Sequence, residues 1–156
     1  MKPLAPAIKS VWRLKIALFW VIVLVITISV DIAGIAKADR TLPLGLISAV
    51  VLVFAIANVT ILPSLRYRFW RYDLRAEELA LTRGIWNRVH TIVPLRRIQH
   101  LDVSQDVIER NFDLGRLVVH TAGTQSSNVV LPGLDFEEAE RLRSEVKHFI
   151  LSLIHI

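Results

Sequence analysis

The chain has 156 residues, no cysteine, 53% hydrophobic residues and a formal net charge of +5. Without cysteine it forms no disulfide, ligates no zinc through sulfur and offers no thiol nucleophile. Up to Arg66 seven basic residues stand against two acidic ones, and from Tyr67 onward twelve face twelve. The excess charge thus belongs to the N-terminal part, and the basic total is no argument for nucleic acid as a partner.

Residues 1–15 form a basic leader with Lys2, Lys9, Arg13 and Lys15. Two apolar segments follow, Ile16 to Ala36 and Leu42 to Leu62. A helix of this length rises about 31 Å at ~1.5 Å per residue, which matches a bilayer core of ~30 Å. Lys37 to Thr41 can only turn the chain, so residues 16–62 are predicted to be a transmembrane helical hairpin. Basic residues before the first helix and after the second (Arg66, Arg68, Arg71, Arg75) place both termini on the cytoplasmic side of a bacterial inner membrane. Arg66, Arg68 and Arg71 are also candidate contacts for anionic lipid. Ala36-Lys37-Ala38 has the small-x-small form of a signal-peptidase site, but a second apolar segment follows at once, which favours an anchor. Asp31 is the acid of the first helix. In a tight hairpin it falls beside Leu46 to Ser48, where a Ser48 hydroxyl can donate to it. Intramembrane acids are functional candidates, and a transport role for Asp31 stands beside structural pairing.

Pro63 and Ser64 are expected to end the second helix, and Tyr67 to Tyr72 to begin a strand. Glu78 to Thr82, Asn87 to Val93 and Ile98 to Ser104 alternate as strands. Pro94 to Arg97 interrupts them, and Gln105 to Asn111 suits a short helical turn. Leu117 to Thr121 and Asn128 to Leu131 read as two more strands, the last stopped by Pro132 and Gly133. Asp135 is an N-cap candidate with Glu138 as capping-box partner. The helix it opens carries Phe136, Ala139, Leu142, Val146, Phe149, Ile150 and Leu153 on one apolar stripe. Residues 63–156 are therefore expected to form a mainly β domain with a helical lid.

Four stretches carry a resemblance: Pro94-Leu95-Arg96-Arg97-Ile98-Gln99-His100, Glu109-Arg110-Asn111-Phe112, Leu117 to Gly123, and Leu131-Pro132-Gly133-Leu134. In order and spacing, with the hairpin before them and the helix after them, they resemble the membrane-anchored bacterial pleckstrin-homology (PH) family of YdbS-like proteins. The resemblance implies a PH-like domain, a bent seven-stranded antiparallel sheet or partly open barrel capped by the C-terminal helix, with no catalytic residues. Where the family pattern has Phe-Gly-Leu, this chain has Phe112-Asp113-Leu114. Asp tolerates the positive φ that such a glycine position implies, at some cost.

No HExxH, GxSxG or phosphate-cradling glycine loop is present, so no enzyme and no cofactor are expected. His90, His100 and His120 lie in predicted strands without metal-ligand spacing. Arg96 and Arg97 suit either an anionic group or solvent, with Asp102 as the expected partner of Arg97. Arg96, Arg97, Phe112 and Asp113 are the candidate interaction residues. The leading expectation is a binding and assembly module on a membrane anchor, with the bilayer and either copies of itself or a related PH-domain membrane protein as partners. Anionic-lipid sensing, or an accessory transport subunit using Asp31, are the alternatives.

Overall fold

The computed structural model describes residues 1–35, 45–122 and 128–154. The expected hairpin turn at Lys37 to Thr41, the Ala36-Lys37-Ala38 site, most of the loop after Ala122 and His155 lie outside these residues. The described chain divides into two compact units, Trp12–Ser64 and Met1–Val11 with Leu65–Ile156.

The first unit is built from two long helices, α1 (Ile8–Ile35) and α2 (Leu46–Phe69). Both present apolar side chains outward: Phe19, Ile22, Val25, Val53 and Phe54 are each more than half exposed. Helices apolar on every side belong in a core or in lipid, and spans of 27 and 24 residues are long enough to cross a bilayer. Trp20 and Phe54 bring their ring centroids within 6.4 Å, so the two helices meet at this level.

Both helices depart from the expected bounds. α1 begins at Ile8 rather than near Ile16, because Ile8 and Val11 are fully buried and extend the helix into the β unit. α2 does not stop at Pro63 but runs through it to Phe69, so Tyr67 to Phe69 are helical rather than extended. Proline removes one helical N–H, and in apolar helices neighbouring Ser and Thr hydroxyls compensate at the backbone. Thr60 Oγ1 donates to the Ile56 carbonyl at 2.8 Å and Ser64 Oγ to the Thr60 carbonyl at 3.2 Å, on either side of the Val59 carbonyl that Pro63 leaves without its helical donor.

The second unit carries two antiparallel sheets. One is β1 (Arg71–Leu74), β2 (Glu78–Arg83) and β3 (Val89–Pro94), the other β4 (Ile98–Ser104), β5 (Leu114–Thr121) and β6 (Asn128–Asp135). A 3₁₀ turn over Leu95–Arg97 joins them, and the four-residue α3 (Val107–Arg110) joins β4 to β5. α4 (Phe136–Ile154) packs on all three strands of the second sheet. Ala139, Leu142 and Val146 of α4, and Leu117, Val119 and Leu131 beneath, are buried. Each such leucine or valine contributes ~1.5–3 kcal/mol.

Where the resemblance implies seven strands, the described residues form six. The main chain of Lys2 adds a bridge to the outer edge of β1, with Lys2 N–H donating to the Tyr72 carbonyl at 2.6 Å and the reverse bond at 3.0 Å. β6 also corrects the sequence reading, since it continues through Pro132 and Gly133 to Asp135. β6 is an edge strand, and the register slips by one residue between the Leu117–Leu131 and Gly115–Leu134 pairs. Gly133, at φ +68°, occupies this bulge. An edge and a bulge are where a strand tolerates proline and needs glycine.

Candidate functional site

Asp31 of α1 is 6% exposed and accepts from Ser48 Oγ at 2.5 Å and from Ser48 N–H at 3.4 Å. The carboxylate is thus tied to the facing helix by a polar pair within the apolar unit. Arg66 and Arg68 occupy the last turn of α2. Arg71, the first residue of β1, folds its guanidinium back onto the carbonyls of Trp70 at 2.7 Å and Tyr67 at 3.4 Å. The Lys9 ammonium lies 4.2 Å from the centre of the Tyr67 ring.

Arg96 and Arg97 are exposed on the 3₁₀ turn. Among the described residues neither enters an ion pair. Asp102, expected to pair with Arg97, instead lies between two imidazoles, with His100 Nε2 at 2.8 Å and His120 Nε2 at 3.1 Å. His100 and His120 face each other across β4 and β5 with rings 5.8 Å apart. His90 belongs to the other sheet and bonds Thr82 Oγ1 at 3.0 Å. This cluster is not among the sequence-based expectations. Its signal was His100-x-Asp102, two residues apart and so on one face of a strand. Among the described residues no three His, Asp or Glu side chains are arranged to hold a metal ion.

Phe112 and Asp113 form the turn between α3 and β5. Asp113 has φ +51°, the left-handed conformation implied for a family glycine at that position. The Asp113 carbonyl accepts from the first N–H of α4, that of Phe136, at 2.9 Å. A short ionic frame seats this turn. Asp106 and Glu109 form a reciprocal capping box on α3, and Arg116 of β5 donates to both carboxylates at 2.8 and 2.7 Å. Glu109 is almost fully buried, so its charge depends on these bonds. Burial works to lower the Arg116 pKa, but its bonds to Glu109 and Asp106 outweigh this and raise it.

Glu138 of α4 accepts from Tyr72 Oη at 2.8 Å, joining α4 to β1. Burial, then this bond to a carboxylate, pushes the Tyr72 phenol above its ordinary range. An unfolded tyrosine ionises near pH 10.0, while the folded one still holds its proton. The stabilisation is therefore complete below that pH and is lost as pH rises towards the folded value. Alkaline melts should show this loss beginning near pH ~10, and Tyr72→Phe should flatten the slope. Equal slopes in the two proteins would clear the phenol of responsibility.

A groove of 520 Å³ lies between β4 and α4. Gln99, His100 and Leu101 line one wall, and Arg143, Lys147 and Ile150 the other. β4 is the outer strand of its sheet, so this wall is a strand edge. The arrangement can add an extended chain by main-chain pairing.

A family model for the bacterial PH domain matches residues 14–150. The chain belongs to the bacterial PH-domain family. The PH-domain assignment agrees with the two helices, two sheets and capping helix described above. The chain is 33% identical to the "UPF0699 transmembrane protein YdbS" of Bacillus subtilis, over 88% of this chain and 84% of that protein. It is 26% identical to the "UPF0699 transmembrane protein YdbT" of the same organism, over 53% of this chain and 17% of that protein. No solved structure matches. With the apolar helices, the likeness to a transmembrane protein makes this PH-domain chain a membrane protein.

Proposed function

We propose that the chain is a non-enzymatic assembly module. A helical hairpin in the bacterial inner membrane carries a cytoplasmic PH-like domain whose β4 edge takes up an extended segment of a second PH-domain membrane chain, another copy or a relative. The groove beside β4 carries this reading. A strand edge presents unpaired N–H and C=O groups along its length, and pairing with an incoming strand satisfies them. Lys147 and Arg143 on the α4 wall favour a segment with acidic side chains. Arg143 already holds Glu140 at 2.5 Å, so Lys147 is the more available charge.

The topology has its own support. Residues 1–11 and 65–156 form one compact unit, so the chain leaves this unit through α1 and returns to it through α2. An even number of crossings fits that return. The basic residues flanking the hairpin favour the cytoplasmic side.

A photo-activated cross-linker at position 99, used in native membranes, tests the proposal. It should give a discrete adduct with a second copy or with another PH-domain membrane protein, and Lys147→Glu should weaken it. An adduct from a linker at exposed Val107 of α3, with none from position 99, would place assembly elsewhere.

A further inference from the structure

We infer that the β2–β3 hairpin tip is a membrane-docking point, with Trp86 entering the headgroup layer of an anionic leaflet between Arg83 and Arg88. Trp86 is 97% exposed, the highest exposure among the large apolar residues whose burial is described. It does not stand on a loose loop. Strand pairing closes at Arg83 and Val89, and Gly84 makes the turn at φ +110°. A Cβ there would stand 1.8 Å from the Asn87 carbonyl oxygen, so only glycine fits. The turn therefore holds the indole at the apex of a fixed hairpin.

Charge selects the occupant. From Leu81 to Leu101 the chain has four arginines and no acidic residue, although the domain as a whole is formally neutral. Arg83 and Arg88, both exposed, bracket the indole in sequence, and Ile92 of β3 is exposed as well. The acids of this sheet lie at the opposite turn, where Asp73 and Glu78 are held by Arg75 at 3.3 and 2.8 Å. Tryptophan settles at the headgroup level because one side of its ring is apolar and its N–H is polar. Near an anionic leaflet, each flanking arginine adds about fivefold to the partition, an effect that salt screens. Only Trp70 separates α2 from β1, so the tether keeps the domain within reach of the bilayer. This inference needs the membrane anchor but not the β4 groove.

The chain has no cysteine, so Asn87→Cys, exposed on the same turn, gives a single labelling site in the full chain with Trp86 in place. A nitroxide at that site reports depth through its contact with oxygen, which dissolves in lipid, and with a water-soluble nickel chelate. Val107→Cys, also at an exposed position, is the reference for water. After reconstitution into phosphatidylcholine–phosphatidylglycerol vesicles, nickel access at position 87 should fall several-fold below that at position 107. Trp86→Ala, Arg83→Gln with Arg88→Gln, phosphatidylcholine alone or high salt should restore it. Equal nickel access at the two positions in the anionic vesicles, or shielding of position 87 unchanged by Trp86→Ala, would overturn the inference. So would shielding that persists without phosphatidylglycerol and disappears when the protein is diluted in lipid, which would assign the indole to a second protein chain.

Discussion

Arg116→Met is expected to lower the stability of the β unit by about 3 kcal/mol, the cost of removing one partner from a buried ionic cluster. Glu109 is 2% exposed, and its Oε2 accepts from Arg116 Nη2 at 2.7 Å, from Arg116 Nε at 3.1 Å and from the Asp106 N–H at 3.0 Å. Methionine fills much of the same space but supplies no cation and no donor. The damage should spread in one direction. The capping box fixes α3, α3 leads into the Asp113 turn, and the Asp113 carbonyl holds the first N–H of α4. Loosening this frame should disturb the start of the helix that walls the β4 groove. Thermal melting of the full chain in detergent, followed by β-sheet circular dichroism, measures the loss. Adding Glu109→Gln to Arg116→Met should recover part of it, because the double variant no longer buries an unpaired charge. An Arg116→Met protein that melts like wild type would mean that solvent satisfies Glu109.

How far the sequence spoke can be judged on these same elements. Elements that carry their own periodicity were legible. The bounds of β4 agree with expectation from Ile98 to Ser104, and α4 buries Ala139, Leu142 and Val146 of the stripe that defined it. Proline and glycine misled where a larger context governs them. Pro63 ends a helix in water, but inside an apolar helix with Ser and Thr neighbours it does not. Pro132-Gly133 ends an ordinary strand, but on an edge with a bulge it continues one. Long-range polar partners were not legible. Asp102 was assigned to Arg97 because they are near in sequence, while the antiparallel register of β4 on β5 gives it His120. Glu138 suited a capping box, and the fold brings Tyr72 to it from 66 residues away. Asp106-x-x-Glu109 was the box that could have been read locally, since an acid at the N-cap with Glu at the third helical position is its signature.

The N-terminus is where the second large effect is expected. A leader rich in lysine reads as a topology signal, which hides a second pattern: Leu4, Ile8 and Val11 recur at steps of four and three. All three are buried in the β unit, at 2%, 0% and 0% exposure. The Ala5 N–H donates to the Gly133 carbonyl at 2.8 Å, and Ile8 lies over the Cα of Gly133 so closely that an added Cβ would stand 2.7 Å from Ile8 Cγ1. Ile8→Ala should therefore cost about 3 kcal/mol, as a buried large-to-small change does. Gly133→Ala should be damaging for two separable reasons, the positive φ and the contact with Ile8. The φ cost is ~1 kcal/mol and belongs to position 133 alone. The steric cost exists only while Ile8 is present. Gly133→Ala should consequently destabilise the wild-type chain more than it destabilises the Ile8→Ala chain, and the four melting temperatures of that cycle measure the difference. Strictly additive losses would mean that Ile8 and Gly133 do not pack together. A clear coupling would tie the segment before α1 to the bulge in β6, which brings both ends of the helical pair into one folded unit.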